Sequence, residues 1–276
     1  MLQFVKPLSV LTITLLGLMP LDDAAAPPPK SLAPAVAEPY HAAAVTLGEV
    51  RASAPDFSNI RHTPDRKAAF FNYLLPLVHE ANREVARERR WLGELGMQML
   101  DGKALLPEQR SELTFMEDRY NLKSRGLYDA ERVGQLLKRV DTVPAALVVA
   151  QAAKESGWGT SRFATEANNY FGIWCFYRGC GVTPLRRTSG LTHEVATFPS
   201  VRQSVRYYVR TLNTHIAYEG FREMRASKRF ELEPIVGDEL ADGLLRYSER
   251  GLPYVREVQH IIRYNKLDRF NQPYRV

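Results

Sequence analysis

Glu155 is the residue whose type and position suit chemistry best. It closes the run Val143-Pro144-Ala-Ala-Leu-Val-Val-Ala-Gln-Ala-Ala-Lys-Glu155, which is apolar on nearly every face until Lys154. A helix of that kind is enclosed by other elements, with Pro144 marking its start and Gly157 its end. A carboxyl at the C-terminal end of such a helix is pushed towards its neutral form twice. Burial disfavours the carboxylate, and the negative end of the helix dipole acts in the same direction. A carboxyl still protonated near neutral pH is what a general acid requires. The same position also suits an ordinary helix-end glutamate paired with Lys154 or Arg162, and the residues alone leave both readings open.

Trp158, Tyr170, Phe171 and Trp174 surround this acid in sequence. Flat apolar side chains suit sugar rings and would desolvate the carboxyl. Aromatic residues beside helices also build cores, so contact with a ligand and core packing both remain open. Cys175 and Cys180 are the only cysteines. In an oxidising compartment they would form a local disulfide, with Gly179 suiting the tight loop. Two free structural thiols are the alternative. No metal site is expected, because His193 is the nearest histidine and nothing completes a zinc set.

Other elements must position these residues. Helical spacing of Ala69, Phe70, Tyr73, Leu74, Leu77, Val78, Ala81 and Val85 predicts a helix from Thr63 to about Leu92, with Thr63 as its cap and a kink at Pro76. Further helices are expected over 107–120 and 129–140, then the buried helix over 144–157. From Phe171 to Phe198 the helical period fails and glycines and prolines punctuate the chain, which predicts a small β-hairpin lobe. Helices resume at Ser200, where Val201, Val205, Tyr208, Val209 and Leu212 share a face, and a last one covers 254–264. The reading is a mainly helical α+β protein without internal repeats.

The N-terminus sets the compartment. Lys6, an apolar stretch over 8–21 and Ala24-Ala25-Ala26 read as an export leader over 1–26. Fourteen apolar residues span about 21 Å as a helix, short of the ~30 Å hydrocarbon core of a membrane. An uncleaved leader would tether the protein to the membrane. Residues 27–60, rich in Ala and Pro, read as an extended linker. Residues 61–142 form a helical prefix packed on a catalytic domain over 143–276. The formal charge of +6 favours polyanionic partners in general. The basic residues are scattered and carry no nucleic-acid-binding signature, so no nucleic-acid partner is expected.

The strings Ala-Gln151-Ala-Ala-Lys-Glu155-Ser156-Gly157-Trp158-Gly159-Thr160-Ser161 and Asn168-Asn169-Tyr170-Phe171-Gly172-Ile173 occur in order. Together they resemble the glucosaminidase domains of glycoside hydrolase family 73, over roughly Val143 to the C-terminus. The resemblance implies a lysozyme-like scaffold with a helical lobe and a small β-lobe. It also implies cleavage of the β-1,4 bond after N-acetylglucosamine in peptidoglycan, without a metal or cofactor. A monomer acting on glycan strands in the periplasm or cell envelope is expected.

Carried over by position, Glu155 matches the family's general acid. Several members hold a second carboxylate in the β-lobe, where Glu194 stands here, and such a group activates water or forms a covalent bond. Tyr247-Ser-Glu-Arg-Gly-Leu-Pro-Tyr254 resembles the family's tyrosine segment, which makes Tyr254 the tyrosine near the cleaved bond. This sequence departs from the pattern at Ser248-Glu249-Arg250. Trp158, Asn169, Tyr170, Phe171 and Tyr247 are the expected substrate contacts. Lytic transglycosylation and a binding module without turnover are the alternatives. An amidase ranks last, because it would need a zinc set or a nucleophilic cysteine.

Overall fold

The computed structural model describes residues 54–185 and 193–271. The leader expected over 1–26, most of the linker and the last residues of the catalytic domain lie outside them.

The end of the expected linker is not extended. Residues 54–60 carry a 3-10 turn, Phe57–Asn59, capped by the Asp56 side chain, which accepts from Ser58 N at 3.0 Å. Phe57 is fully buried, edge-on to Phe70 and Tyr73. One large apolar ring therefore anchors a segment whose composition reads as spacer.

Helix α1, Thr63–Leu100, runs through Pro76 and past Leu92. Thr63 lies inside the helix, and His62 stands at the cap position without a side-chain bond to the helix backbone, its ring lying 3.0 Å from the Asp65 carboxyl. Pro76 is exposed, as is Asn72 one turn before it, so the carbonyl left without an N–H partner can be hydrated. Gly93 and Gly96 weaken the helical pattern beyond Leu92, but Leu92 and Leu95 are buried and carry the helix onward. At Gly96 a built Cβ would lie 3.9 Å from Val133, so α3 packs closely there.

Helices α2, Pro107–Arg119, and α3, Asp129–Arg139, follow as expected. Helix α4, Ala145–Ser156, is the centre of the fold: ten of its twelve residues are buried. It touches α1 and the C-terminal elements, so the prefix and the later helices share one core. A short helix α5, Arg162–Ala167, capped by Ser161 and ended by Asn168, was not legible. Six residues are too few to show a helical period.

The lobe is a three-stranded antiparallel sheet: β1, Trp174–Cys175; β2, Gly181–Val182; and β3, Glu194–Ala196, with β3 central. Trp174 pairs with Val195, Cys175 with Glu194 and Gly181 with Ala196. A Cβ at Gly181 would sit 1.9 Å from the Val195 carbonyl oxygen, so only glycine admits this pairing. Helix α6, Val201–Thr214, buries the expected face. Helices α7, Glu219–Phe230, and α8, Gly237–Leu240, precede α9, Leu252–Tyr264, which opens two residues before the expected start. The architecture is mainly helical α+β with a small β-lobe. Among the described residues no helix is long and apolar enough to cross a membrane.

Candidate active site

Glu155 is half-buried on the last turn of α4, and three consecutive left-handed residues follow that turn. Gly157, Trp158 and Gly159 have φ of 57°, 62° and 79°. This conformation is costly for tryptophan, about 1–3 kcal/mol, and packing holds it. Phe70 and Phe71 of α1 each meet the Trp158 ring edge-on at 5.6 Å, and Lys67 Nζ lies 4.7 Å from its centroid. Phe57 fills the space at Gly159, where a Cβ would come within 2.3 Å of its ring. Ser156 stitches the turn, donating to Ala152 O at 2.6 Å and accepting from Gly159 N at 2.8 Å.

Burial raises the Glu155 carboxyl above the ordinary glutamate value; a hydrogen bond from Tyr254 and the charge of Lys154 oppose that shift. Burial therefore wins, and the acid is biased towards its protonated form. The Lys154 charge is partly offset, since Lys154 pairs with Glu257, which also binds Arg250. Those two bases, Arg250 first, hold the exposed Glu257 carboxyl down to about 2.

The wall around Glu155 is built of tyrosines. Tyr254 is buried on α9 and accepts a hydrogen bond from Gln151 Nε2 at 2.8 Å, which directs its own hydrogen to Glu155. Tyr247 stacks on Tyr254 with centroids 5.5 Å apart and donates to Phe171 O at 2.6 Å. Tyr208 donates to Gln151 Oε1, and its ring stacks on Phe171 at 4.1 Å. Burial pushes the hydroxyls of Tyr208, Tyr218, Tyr247 and Tyr254 up, so they remain neutral donors. Gly172 comes close enough that a Cβ there would lie 3.3 Å from Glu155 Oε2.

The structure thus brings Glu155, Tyr247, Tyr254 and the Phe171–Gly172 backbone together. It places the other expected contacts differently. Asn169 is buried and spends its amide on the backbone. It accepts from Phe171 N and Ile173 N, and donates to Ile173 O and Ala196 O. Tyr170 is buried against Phe70, and Phe171 lies under Tyr208. These side chains, with the partly buried Trp158, pack behind the site. Their types suited either use, and only the packing decides.

Glu194 is buried on β3. Its Oε1 accepts from Gly179 N at 3.2 Å and its Oε2 from Gly181 N at 2.9 Å. Those glycines flank Cys180, which is disulfide-bonded to Cys175, the residue paired with Glu194 across the sheet. Cys175, Cys180 and Glu194 cluster as metal ligands would, but the sulfurs are bonded to each other and supply no thiolate.

Gln151 and Tyr208 went unassigned in the sequence. Gln151 is the one polar residue in α4 before Lys154 and lies four residues before Glu155, hence on the same helix face. That spacing was a legible signal. Tyr208 sits within an apolar stripe and reads as core.

Residues 130–267 match the family described as mannosyl-glycoprotein endo-beta-N-acetylglucosaminidase, or glucosaminidase. Protein bax of Escherichia coli (strain K12) is 34% identical over 202 residues, which cover 73% of this chain and 70% of that protein. The chain belongs to the glucosaminidase family. No solved structure matches it significantly. The glucosaminidase region starts inside α3 and includes Glu155, the tyrosine wall and the β-lobe. Phe57, Phe70 and Phe71, which buttress the turn after Glu155, lie before it.

Proposed function

We propose that this glucosaminidase is an exported peptidoglycan hydrolase. It cleaves the β-1,4 bond after N-acetylglucosamine, with Glu155 as general acid. The observation that carries the reading is the Glu155 carboxyl itself, raised by burial and enclosed by neutral tyrosine hydroxyls. In the reaction Glu155 gives its proton to the leaving glycosidic oxygen as the bond to the sugar C1 breaks. A water oxygen bonds to C1 and loses a proton to a base. Tyr254, hydrogen-bonded to Glu155 and Gln151, orients that water or the sugar N-acetyl group. Glu194 is the base, presented by the β-lobe. The disulfide supports export, since such bonds persist in oxidising compartments.

A second reading has an observation in its favour. Both Glu194 oxygens are engaged by backbone N–H groups, which suits a site working with one acid. In lytic transglycosylation the muramic 6-hydroxyl replaces water, and the bond broken is the one after N-acetylmuramic acid.

Digestion of purified peptidoglycan by the mature chain, read by mass spectrometry, tests the proposal. Reducing N-acetylglucosamine ends are expected, and anhydro-muramic ends would replace hydrolysis by transglycosylation. Binding without release would leave a wall-binding module. Glu194→Gln should lower the rate by at least about tenfold, within the ~10²–10⁴ typical of acid–base groups. A smaller loss would remove Glu194 from the reaction and leave it as the clamp of the disulfide loop.

A further inference from the structure

Three of the four aromatics near the acid are spent on packing, and Trp174 is not. It is 41% exposed, although tryptophan is usually covered. Its indole lies almost parallel to the His193 ring, 6° apart with centroids at 4.2 Å. The register explains the stack. Trp174 pairs with Val195, so His193 is its diagonal neighbour on the same sheet face. One ring face is thus backed by imidazole while much of the indole stays in solvent.

The platform is also rigid. Cys175, the next residue, is tied by the disulfide. Ile173, the residue before, is held by Asn169 through both its N–H and its carbonyl. Glu194, beside His193, is held by two backbone donors. An exposed flat apolar ring fixed in this way is preorganised for a ligand with a flat apolar face. Position adds the chemistry. Gly172 lies beside Glu155, where a Cβ would come 3.3 Å from Oε2, and two residues on, the Trp174 Cα is at most about 7.6 Å from that of Gly172. A ligand ring on Trp174 therefore sits one or two sugars from the acid.

We propose that Trp174, backed by His193, is a sugar-stacking subsite on the β-lobe for a pyranose ring of an N-acetylated β-1,4 glycan. The subsite rests on the glycosidase reading and names a residue that holds the strand while Glu155 acts. The C–H face of the sugar covers the open part of the indole, and the sheet fixes the angle at which the strand crosses the lobe.

The test uses chitopentaose as probe and the mature chain carrying Glu155→Gln, so that binding is measured without turnover. Calorimetry should show affinity about tenfold weaker for Trp174→Ala, equivalent to about 1.4 kcal/mol, and intermediate for Trp174→Phe, which keeps a ring on His193. Tryptophan fluorescence should shift on binding through Trp174, and the shift should vanish in Trp174→Phe although Trp91 and Trp158 remain. In the active protein Trp174→Ala should raise KM more than it lowers kcat. Equal affinity of parent and Trp174→Ala, or no binding by the parent, would overturn the subsite. Failure of the glycosidase reading shows itself separately, as no new reducing ends from the protein with Glu155 intact while the titration of the Glu155→Gln protein still reports binding.

Discussion

Tyr254 donates a hydrogen bond to Glu155 while accepting one from Gln151. That places a neutral hydroxyl between the acid and the buried polar residue one turn before it on α4. It also sets a brake, since a donor to the carboxylate favours the ionised form.

Tyr254→Phe removes that donor. The Glu155 pKa should rise further, and because the general acid works protonated, the alkaline limb of the kcat/KM profile should move to higher pH. The rate at the optimum should fall, because the hydroxyl no longer orients water or the N-acetyl group. Gln151 Nε2 loses its partner, so the variant should also be destabilised by about 1–3 kcal/mol. A pH–rate profile with a denaturant titration reads both effects.

Glu257→Gln should move the profile the other way. Glu257 offsets the Lys154 charge, and Lys154 is the cation that lowers Glu155. Without the Glu257 carboxylate, Lys154 favours the ionised acid more strongly. The alkaline limb should shift to lower pH. Opposite shifts in two variants are hard to produce by general loss of structure.

Gly172→Ala tests the approach of the loop to the acid. Gly172 has φ of +62°, and the new methyl would lie 3.3 Å from Glu155 Oε2. The left-handed conformation should cost about 1–2 kcal/mol. Crowding at the carboxyl should lower kcat beyond what that loss of stability explains. Activity measured well below the unfolding temperature separates the two.

These sites show what the sequence displayed and what it hid. Helices α1, α3, α6 and α9 were visible because each has an apolar stripe of helical period, α2 because Pro107 marks its start, and α4 because it has no polar face. Helix α7 was hidden because its burial is mostly polar: beside Phe221 the buried residues are Arg222 and Arg225. Its Glu-Gly-Phe-Arg-Glu-Met-Arg stretch looks solvated, yet Arg225 is fully buried. The Arg225 guanidinium donates to the carbonyls of Lys138, Arg139, Asp141 and Thr142 and to Asn213 Oδ1, tying the end of α3 to α6. Burial disfavours the charged form of neighbouring Asp141, but Arg225, Arg229 and Arg89 outweigh it and hold the carboxyl below its usual value. No hydrophobic period reports such an arrangement.

In the candidate site, Glu155 was legible because its helix is unusual. The use of Trp158, Asn169, Tyr170 and Phe171 as buttress was not, because aromatic and amide side chains serve sugars and cores equally well. Phe57 was lost in an Ala/Pro-rich stretch, where it is the one fully buried side chain among the described residues and only Ala54 and Ile60 add partial packing.

The central claim is that Glu155 is the general acid, and Glu155→Gln in the mature chain tests it most directly. The raised pKa fixes the accompanying stability sign. Stability from a carboxyl raised in the folded state is fully present below its unfolded pKa and is lost as pH rises through the folded value. Glutamine, which does not ionise, should hold or raise the unfolding temperature near pH 7. Release of soluble fragments from purified peptidoglycan should fall by about 10² or more while the protein stays folded. A folded Glu155→Gln protein that releases fragments at the parent rate would contradict the assignment.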